Sequence, residues 1–417
     1  MRSSEKTQLY FVEAPRRHII TQMIEIKKQN ISYLRIIRLA DSSIFLWPVA
    51  ILYYYHVSGS ATGAGILLAA RSIASTVAEL PMGVFSDHFG RARTTQMATV
   101  LYLLSALMIV GAWWIGFWLL CLAVVVQGIA EACESGNHDS LLYESSPSEN
   151  DYKKTSAHFE TIGSTASMVS AVIGGLLGAK SLLFVAGVSV LPRMVSFGAS
   201  LRLRDATSRS QSDSNTIKAS FGELRTALIR DIQVRYALIG RVIAEGFGEV
   251  SWQFRALFVQ TVWPIWALGL SMPISHSANA IGGVLYTKYE HKLRRYTELK
   301  MVLASTLIGR TLIVVALAMQ NVFSPVLIGL TGIGGPVNRV SFGNFLHSRL
   351  HDGIRASGFS VLSLVSTMLF SVVSVGFGVL IDAIGVQKSL IISTLCTLTS
   401  TIFYALASRR EPVKPRL

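Results

Sequence analysis

Apolar residues form long runs along almost the whole chain, and short polar stretches separate them. A helix needs about 20 mostly apolar residues to cross the roughly 30 Å hydrocarbon core of a bilayer. Windows of that kind predict twelve membrane-spanning helices, which we call spans 1 to 12, and charged residues interrupt spans 7 and 10. The predicted bounds are 33–55, 62–85, 95–113, 117–138, 157–179, 182–202, 236–259, 265–286, 299–319, 322–346, 356–381 and 388–407.

Composition excludes an ordinary soluble domain. Hydrophobic residues make up 51% of the chain and charged residues only 15%, whereas a soluble domain carries roughly a quarter charged residues. The 38 Lys and Arg against 24 Asp and Glu give a net charge of +14. These bases gather in the loops after even-numbered spans and near both ends, where they indicate topology rather than a nucleic-acid partner. We expect a multi-pass protein of the inner (cytoplasmic) membrane with both termini cytoplasmic.

The loops after odd-numbered spans have the opposite character, with few bases and many aromatic residues. Aromatic side chains are typical of the membrane interface. The predicted aromatic belt consists of Tyr53, Tyr54, Tyr55, Trp113, Trp114, Trp118, Trp263 and Trp266.

A polar, Ser-rich stretch divides the spans into two groups of six. The predicted organisation is a cytoplasmic N-terminal segment, a six-helix bundle, a linker with a surface helix, a second six-helix bundle and a cytoplasmic tail, with bounds 1–31, 32–205, 206–234, 235–408 and 409–417. Two halves of similar length are typical of transporters built from repeats around a site at the membrane midplane. The predicted fold class is therefore an all-α membrane protein of two six-helix bundles.

The connection between spans 2 and 3 carries a recognisable signature. It reads Gly83-Val84-Phe85-Ser86-Asp87-His88-Phe89-Gly90-Arg91-Ala92-Arg93. This resembles the pattern G-x-x-x-D-x-x-G-R-[KRA]-[RK] of the major facilitator superfamily, and the run from Ile354 to Ser363 resembles the start of the eleventh helix in many bacterial members. The resemblance covers essentially the whole chain, although span 4 lacks the Arg that often precedes Gly128 in proton-coupled members.

The resemblance implies the pseudo-symmetric twelve-helix fold of that superfamily and transport by alternating access. It also implies that Asp87 contacts the start of span 11 near Arg355 and latches the two halves in one state. We expect close helix packing at Gly83 and a tight turn at Gly90. The implied gating residues are Gly83, Asp87, Gly90, Arg91, Arg93 and Arg355.

Charged residues within the spans are the candidates for function, because an ionisable group at that depth costs several kcal/mol unless it is paired or hydrated. In span 7, Arg241, Glu245 and Glu249 recur every four residues and so share one helix face. That stripe is either an internal salt-bridge ladder or a relay that lines the cavity. The resemblance places spans 1, 4, 7 and 10 around the cavity. The candidates for substrate binding or proton coupling are Asp41, Glu131, Glu134, Arg241, Glu245, Glu249, Trp252, Arg339 and Asn344.

Single arginines near the middle of spans 2, 6 and 9 also need partners. Arg71, Arg193 and Arg310 are expected to form structural ion pairs, with Glu79 or Glu160 among the partners considered. In span 1, Arg38 and Asp41 are three residues apart and could pair along one helix face.

These features predict a secondary transporter that moves a small organic solute through the lipid bilayer by alternating access. Proton-coupled efflux of a drug or metabolite is the favoured form, with Asp41, Glu245 and Glu249 exchanging the proton and Tyr53 among the apolar contacts. Uptake of an organic anion or nutrient is the alternative, indicated by Arg241, and a non-transporting receptor is a third. We expect no enzyme and no cofactor or metal, because the loops lack a cluster of His, Asp or Cys. We also expect a monomer.

Overall fold

The computed structural model describes residues 25–205, 231–293, 295–349 and 352–409, and only the backbone of 352–360. Within these ranges the secondary structure is helical and contains no strand. Eight helices of the described chain are long and apolar enough to cross a membrane. They correspond to spans 2–6, 9, 11 and 12, and the fold class predicted from the sequence is confirmed.

The observed helices follow the predicted spans closely. In the first half they are 25–41 and Ala50–Ser58 (span 1), Ala61–Phe89, Arg91–Ile115, Phe117–Glu134 and Asn137–Ser145 (span 4), Glu149–Lys180, and Leu182–Val188 and Val190–Ser200 (span 6). In the second half they are Ile232–Val262, Ile265–Leu268 and Ser271–Leu293 (span 8), Glu298–Met319, Ser324–Leu330 and Gly335–Arg349 (span 10), Asp352–Ile384, and Val386–Leu398 and Ser400–Ser408 (span 12). The predicted linker helix over 217–232 falls almost entirely outside the described residues.

Spans 1 and 10 are interrupted where the sequence favours a break. Span 1 leaves the helix after residue 41 and resumes through a 3₁₀ turn at Trp47–Val49, where Pro48 cannot donate a backbone hydrogen bond. Span 10 contains a 3₁₀ turn at Thr331–Gly334 in a glycine-rich stretch that ends at Pro336. Tightened turns inside a helix are typical of functional hinges.

The two ends of the bundle differ in their surface. Trp114, Trp118 and Trp266 are exposed at one end, which we call the aromatic side. The opposite end, which carries Arg91 and Arg349, we call the basic side.

Part of the predicted aromatic belt lies inside the bundle instead. Tyr53, Tyr54 and Trp263 are buried. The Tyr53 hydroxyl donates to the Ile109 carbonyl at 2.6 Å, and the Trp263 indole donates to the Val322 carbonyl at 2.7 Å. These polar atoms find internal partners, so the rings pack in the core rather than at the membrane interface.

On the aromatic side the two halves meet with their backbones in contact. A Cβ on Gly65 of span 2 would overlap the Ser374 carbonyl of span 11, and one on Gly378 would overlap the Ala61 carbonyl. Spans 5 and 8 meet in the same way, since a Cβ on Gly269 would overlap the Ala171 carbonyl. Small residues permit this approach, and any larger side chain at these glycines would separate the helices.

Asp382 of span 11 closes this end by capping span 2. Its carboxylate accepts the Ala61 and Thr62 backbone N–H groups at 2.9 and 2.8 Å and the Thr62 hydroxyl at 2.6 Å. Span 2 begins at Ala61, so the negative charge lies at a helix N-terminus, where it is stabilising. The cap therefore joins the two halves of the protein.

Towards the basic side, the end of span 2 is less closely packed than its start. A Cβ on Gly83 would meet no heavy atom within 4 Å in the described part of the chain, and Leu80 and Val84 are 67% and 70% exposed. The close packing expected at Gly83 does not form with any of the described residues.

Removal of the Asp382 cap should loosen the aromatic side. Asp382→Ala leaves two N–H groups of span 2 without their acceptor and should cost about 1 kcal/mol of stability. We expect Ser374→Cys, fully buried against Gly65, to react faster with a membrane-impermeant maleimide in the Asp382→Ala background. The assay requires replacement of Cys121, Cys133 and Cys396.

A matched control is Ser148→Ala, which removes a cap that accepts the Asp151 N–H within the first half. It should cost a similar amount of stability without a change in maleimide reactivity. Equal reactivity in all three backgrounds would contradict a role for Asp382 in closure.

Candidate functional site

A polar cavity of about 980 Å³ lies among spans 7 to 12 and reaches span 2 of the other half. Five arginines and two glutamates line it, an excess of three positive charges: Arg71, Arg241, Arg255, Arg310, Arg339, Glu245 and Glu249. The rest of the wall is rich in hydroxyl and amide groups, including Asn279, Thr306 and Asn338. A cavity of this composition can bind an anionic, hydrogen-bonding solute.

Arg241 and Glu245 form an ion pair in the cavity wall, and each makes a further hydrogen bond to another span. The Arg241 Nε donates to Glu245 at 2.6 Å, and its Nη1 donates to the Asn338 side-chain oxygen at 2.8 Å. The second Glu245 oxygen accepts the Ser366 hydroxyl at 2.8 Å. This part of the predicted stripe joins spans 7, 10 and 11 as an ion-pair network.

Glu249 and Trp252, one turn further along span 7, face the cavity more openly. Glu249 accepts the Gln253 amide at 2.7 Å and forms no ion pair within the described chain. Trp252 is 40% exposed, and the Arg255 guanidinium stacks on its ring at 3.9 Å.

Two arginines outside the predicted cavity helices also reach the cavity. Arg71 of span 2 lies 3.8 Å from Glu131, too far for a hydrogen bond. Arg310 of span 9 lies over Gly248, and its Nη2 is 2.8 Å from the position of a Cβ on that glycine. The sequence led us to expect structural ion pairs for both, but within the described residues Arg310 has no carboxylate partner.

Asp41 lies inside the first half and does not line the central cavity. Its carboxylate accepts Arg193 Nη1 at 2.7 Å and the Ser196 hydroxyl at 3.1 Å. The Asp41 and Arg193 side chains are only 13% and 12% exposed. The pair of Arg38 and Asp41 suggested by the sequence does not form, because Arg38 binds Glu160 at 2.7 Å instead.

Glu131 and Glu134 line a separate cavity of about 310 Å³ within the first half. Glu134 accepts the Tyr102 hydroxyl at 2.6 Å and lies 3.2 Å from His138 Nδ1. Gln127 donates to Glu131 at 3.2 Å. In span 10, Arg339 lines the central cavity, whereas Asn344 is exposed and lies outside the cavity wall.

The signature between spans 2 and 3 forms a structural turn in the first half. Gly90 has φ +98°, and a Cβ there would overlap the Asp205 carboxylate, which caps the Ala92 N–H at 2.9 Å. Arg91 pairs with Glu144 at 2.7 Å. Asp87 and Arg93 are exposed. The predicted contact of Asp87 with Arg355 lies outside the described side chains.

The signature spacing recurs at the end of span 11, which the sequence reasoning missed. Gly378, Asp382 and Gly385 repeat the positions of Gly83, Asp87 and Gly90. The repeat lies on the aromatic side and carries the aspartate that caps span 2. Comparison of the ends of spans 2 and 11 could have found it.

Within the described ranges, no group of three or more His, Cys, Asp or Glu side chains could hold a metal ion.

Comparison with known proteins agrees with the fold. The family model described as Major Facilitator Superfamily matches residues 36–409. A search of curated protein sequences finds no match.

Solved transporter structures resemble the chain at low sequence identity. A point mutant of the nucleoside transporter NupG has a TM-score of 0.75 at 12% identity, covering 92% of this chain and 99% of its own. A bacterial homolog of the human lysosomal transporter Spinster, inward-facing and unoccupied, has a TM-score of 0.71 at 14% identity, covering 92% and 97%. A D-xylose-proton symporter has a TM-score of 0.64 at 13% identity, covering 91% and 96%. At these identities the similarity shows the fold alone.

The Asp41–Arg193 pair yields a stability test. Asp41→Asn leaves a mostly buried guanidinium without its carboxylate, which should destabilise the protein by about 3–5 kcal/mol. The expected readout is a lower thermal unfolding midpoint in detergent, partly restored in the double variant Asp41→Asn/Arg193→Gln.

Glu160→Gln is the control, because the Glu160 side chain is 74% exposed and its loss should cost no more than about 1 kcal/mol. Unchanged stability of Asp41→Asn together with lost proton-driven transport would instead favour the proton-coupling role predicted from the sequence.

Proposed function

The chain belongs to the Major Facilitator Superfamily and has the fold of a multi-pass secondary transporter, and on that basis we propose that it transports a small organic anion. We propose further that transport is coupled to protons and that its direction is efflux. The observation that carries it is the excess of arginines in the central cavity.

The charge of the cavity favours an anion over a neutral or cationic solute. Uncompensated charge in a low-dielectric site is costly, and a bound counter-charge relieves that cost. Arg241 is already neutralised by Glu245 at 2.6 Å. Arg255 and Arg310 have no carboxylate partner in the described chain, so an anionic solute would supply one.

The placement of Arg71 supports alternating access. Arg71 belongs to span 2, whereas the other four cavity arginines belong to the second half. An anion that contacts both groups would favour closure of the halves around it, since a ligand shifts a conformational equilibrium by its differential affinity for the two states. The aromatic side is already closed by Asp382 and the glycine contacts.

Glu249 is the carboxylate that we assign to proton exchange. It faces the cavity without an ion pair, whereas Glu245 is bonded to Arg241 and Asp41 to Arg193. Tyr53, also predicted to touch the solute, is fully buried. In proton-coupled efflux, the form predicted from the sequence, Glu249 is then the one carboxylate that exchanges the proton. Uptake of an organic anion is the second candidate function, because the cavity arginines favour an anion in either direction of transport.

We further propose that the protein resides in the cytoplasmic membrane with its basic side facing the cytoplasm. The basic loops support this orientation.

The proposal can be tested with proteoliposomes to which a panel of organic anions, cations and neutral solutes is added from outside. We expect anions to accumulate when a proton gradient is imposed, and neutral solutes and cations not to. The sign of the gradient that drives accumulation gives the direction of transport.

In the same vesicles, Glu249→Gln should lose gradient-driven accumulation by about tenfold or more but retain gradient-free exchange. Glu149→Gln, an equal charge change at an exposed site, is the control. Transport of neutral solutes in preference to anions would refute the proposed substrate class, and full coupling in Glu249→Gln would remove Glu249 from proton exchange.

A further inference from the structure

Two cavity arginines that are not exposed differ from Arg71, Arg193 and Arg241, whereas Arg339, which also lines the cavity, is exposed. Arg71, Arg193 and Arg241 each lie within 4 Å of a carboxylate. Arg255 and Arg310 line the cavity wall, and no carboxylate pairs with either in the part of the chain that the structure describes. Unpaired guanidinium groups at this depth indicate a ligand that brings the missing charge.

Each of these two arginines is held in place by span 7. The Arg255 guanidinium stacks on Trp252 at 3.9 Å, a contact that orients its plane. The Arg310 guanidinium lies over the bare backbone of Gly248, where a Cβ would come within 2.8 Å of Nη2. The Trp252 ring and the bare backbone of Gly248 therefore define where the two guanidinium groups lie.

The two supports lie on one face of span 7. Gly248, Trp252 and Arg255 are spaced i, i+4 and i+7, which places them in line. At 1.5 Å per residue, the two supporting positions, Gly248 and Trp252, lie roughly 6 Å apart along the helix axis. Hydroxyl and amide groups of Ser251, Ser275 and other residues line the same cavity.

We propose that Arg255 and Arg310 form a two-point site for an organic dianion whose acid groups are separated, as in a dicarboxylate. The inference rests on the proposed transport of an organic anion and adds the number and spacing of its charges. Each guanidinium can bind one carboxylate through two parallel hydrogen bonds. A dianion also compensates more of the cavity's excess of three positive charges than a monoanion does.

Binding of dicarboxylates of increasing chain length to the purified protein in lipid nanodiscs tests the site. The probes are malonate, succinate, glutarate and adipate, with butyrate as the monoanion and glycerol 3-phosphate as a dianion with both charges on one group. We expect an optimum chain length among the dicarboxylates, with affinity about tenfold or more above that of butyrate. Preference for glycerol 3-phosphate would overturn the two-point geometry.

Gly248→Ala tests the position of the Arg310 guanidinium without a change in the charge of the cavity. The added methyl group displaces the Arg310 guanidinium, so dicarboxylate affinity should fall about tenfold with little change for butyrate. Gly283→Ala is the matched control, because a Cβ there meets no described atom within 4 Å. Arg310→Gln and Arg255→Gln should each reduce the affinity for dicarboxylates towards that for butyrate.

Two results would overturn the inference: equal affinity for dicarboxylates and butyrate, or unchanged dicarboxylate binding in both Gly248→Ala and Arg310→Gln. If proteoliposomes still accumulate anions, the proposed function stands and only the two-point site fails. If no anion binds or is transported, both fail.

Discussion

The carboxylate of Asp382 lies in front of the first N–H groups of span 2 and joins the two halves of the protein at one end. Because glycines at positions 65 and 378 let the backbones of spans 2 and 11 touch beside it, the aromatic side is sealed by backbone contacts and one charge. A helix cap is worth only about 1 kcal/mol, so the Asp382 cap is an interaction that the protein can break at small cost.

The charged groups inside the bundle are either ion-paired or unpaired. The paired groups contribute to helix packing, and the unpaired groups line the proposed binding site. The Asp41–Arg193 pair, at 2.7 Å, joins spans 1 and 6. The Glu245–Arg241 pair, at 2.6 Å, lies within span 7 and is joined to spans 10 and 11 through Asn338 and Ser366. Glu249, Arg255 and Arg310 remain without an ion pair in the described chain and all line the same cavity. Burial of unpaired charge is expensive, so the protein keeps these groups where a solute or a proton can neutralise them.

The sequence predicted the spans well because membrane crossing requires continuous apolar length, which is a local property. The Arg241–Glu245 pair was also predictable, because its four-residue spacing lies within one helix. Asp41 and Arg193 are 152 residues apart, and only the packing of spans 1 and 6 brings them together. The entry of Arg310 into the cavity depends in the same way on the missing side chain of Gly248 in another span, which no periodicity along span 9 reveals.

Transport by alternating access requires the two ends of the bundle to open in turn, and paired distances across the halves test this most directly. Spin labels at Tyr55 and Ile384 report the aromatic side, and labels at Leu80 and Ser348 report the basic side, all at exposed positions. Double electron–electron resonance should show that conditions that lengthen the first distance shorten the second. If the aromatic-side distance stays fixed while the basic side opens and closes under saturating organic anion and an imposed proton gradient, the account is contradicted.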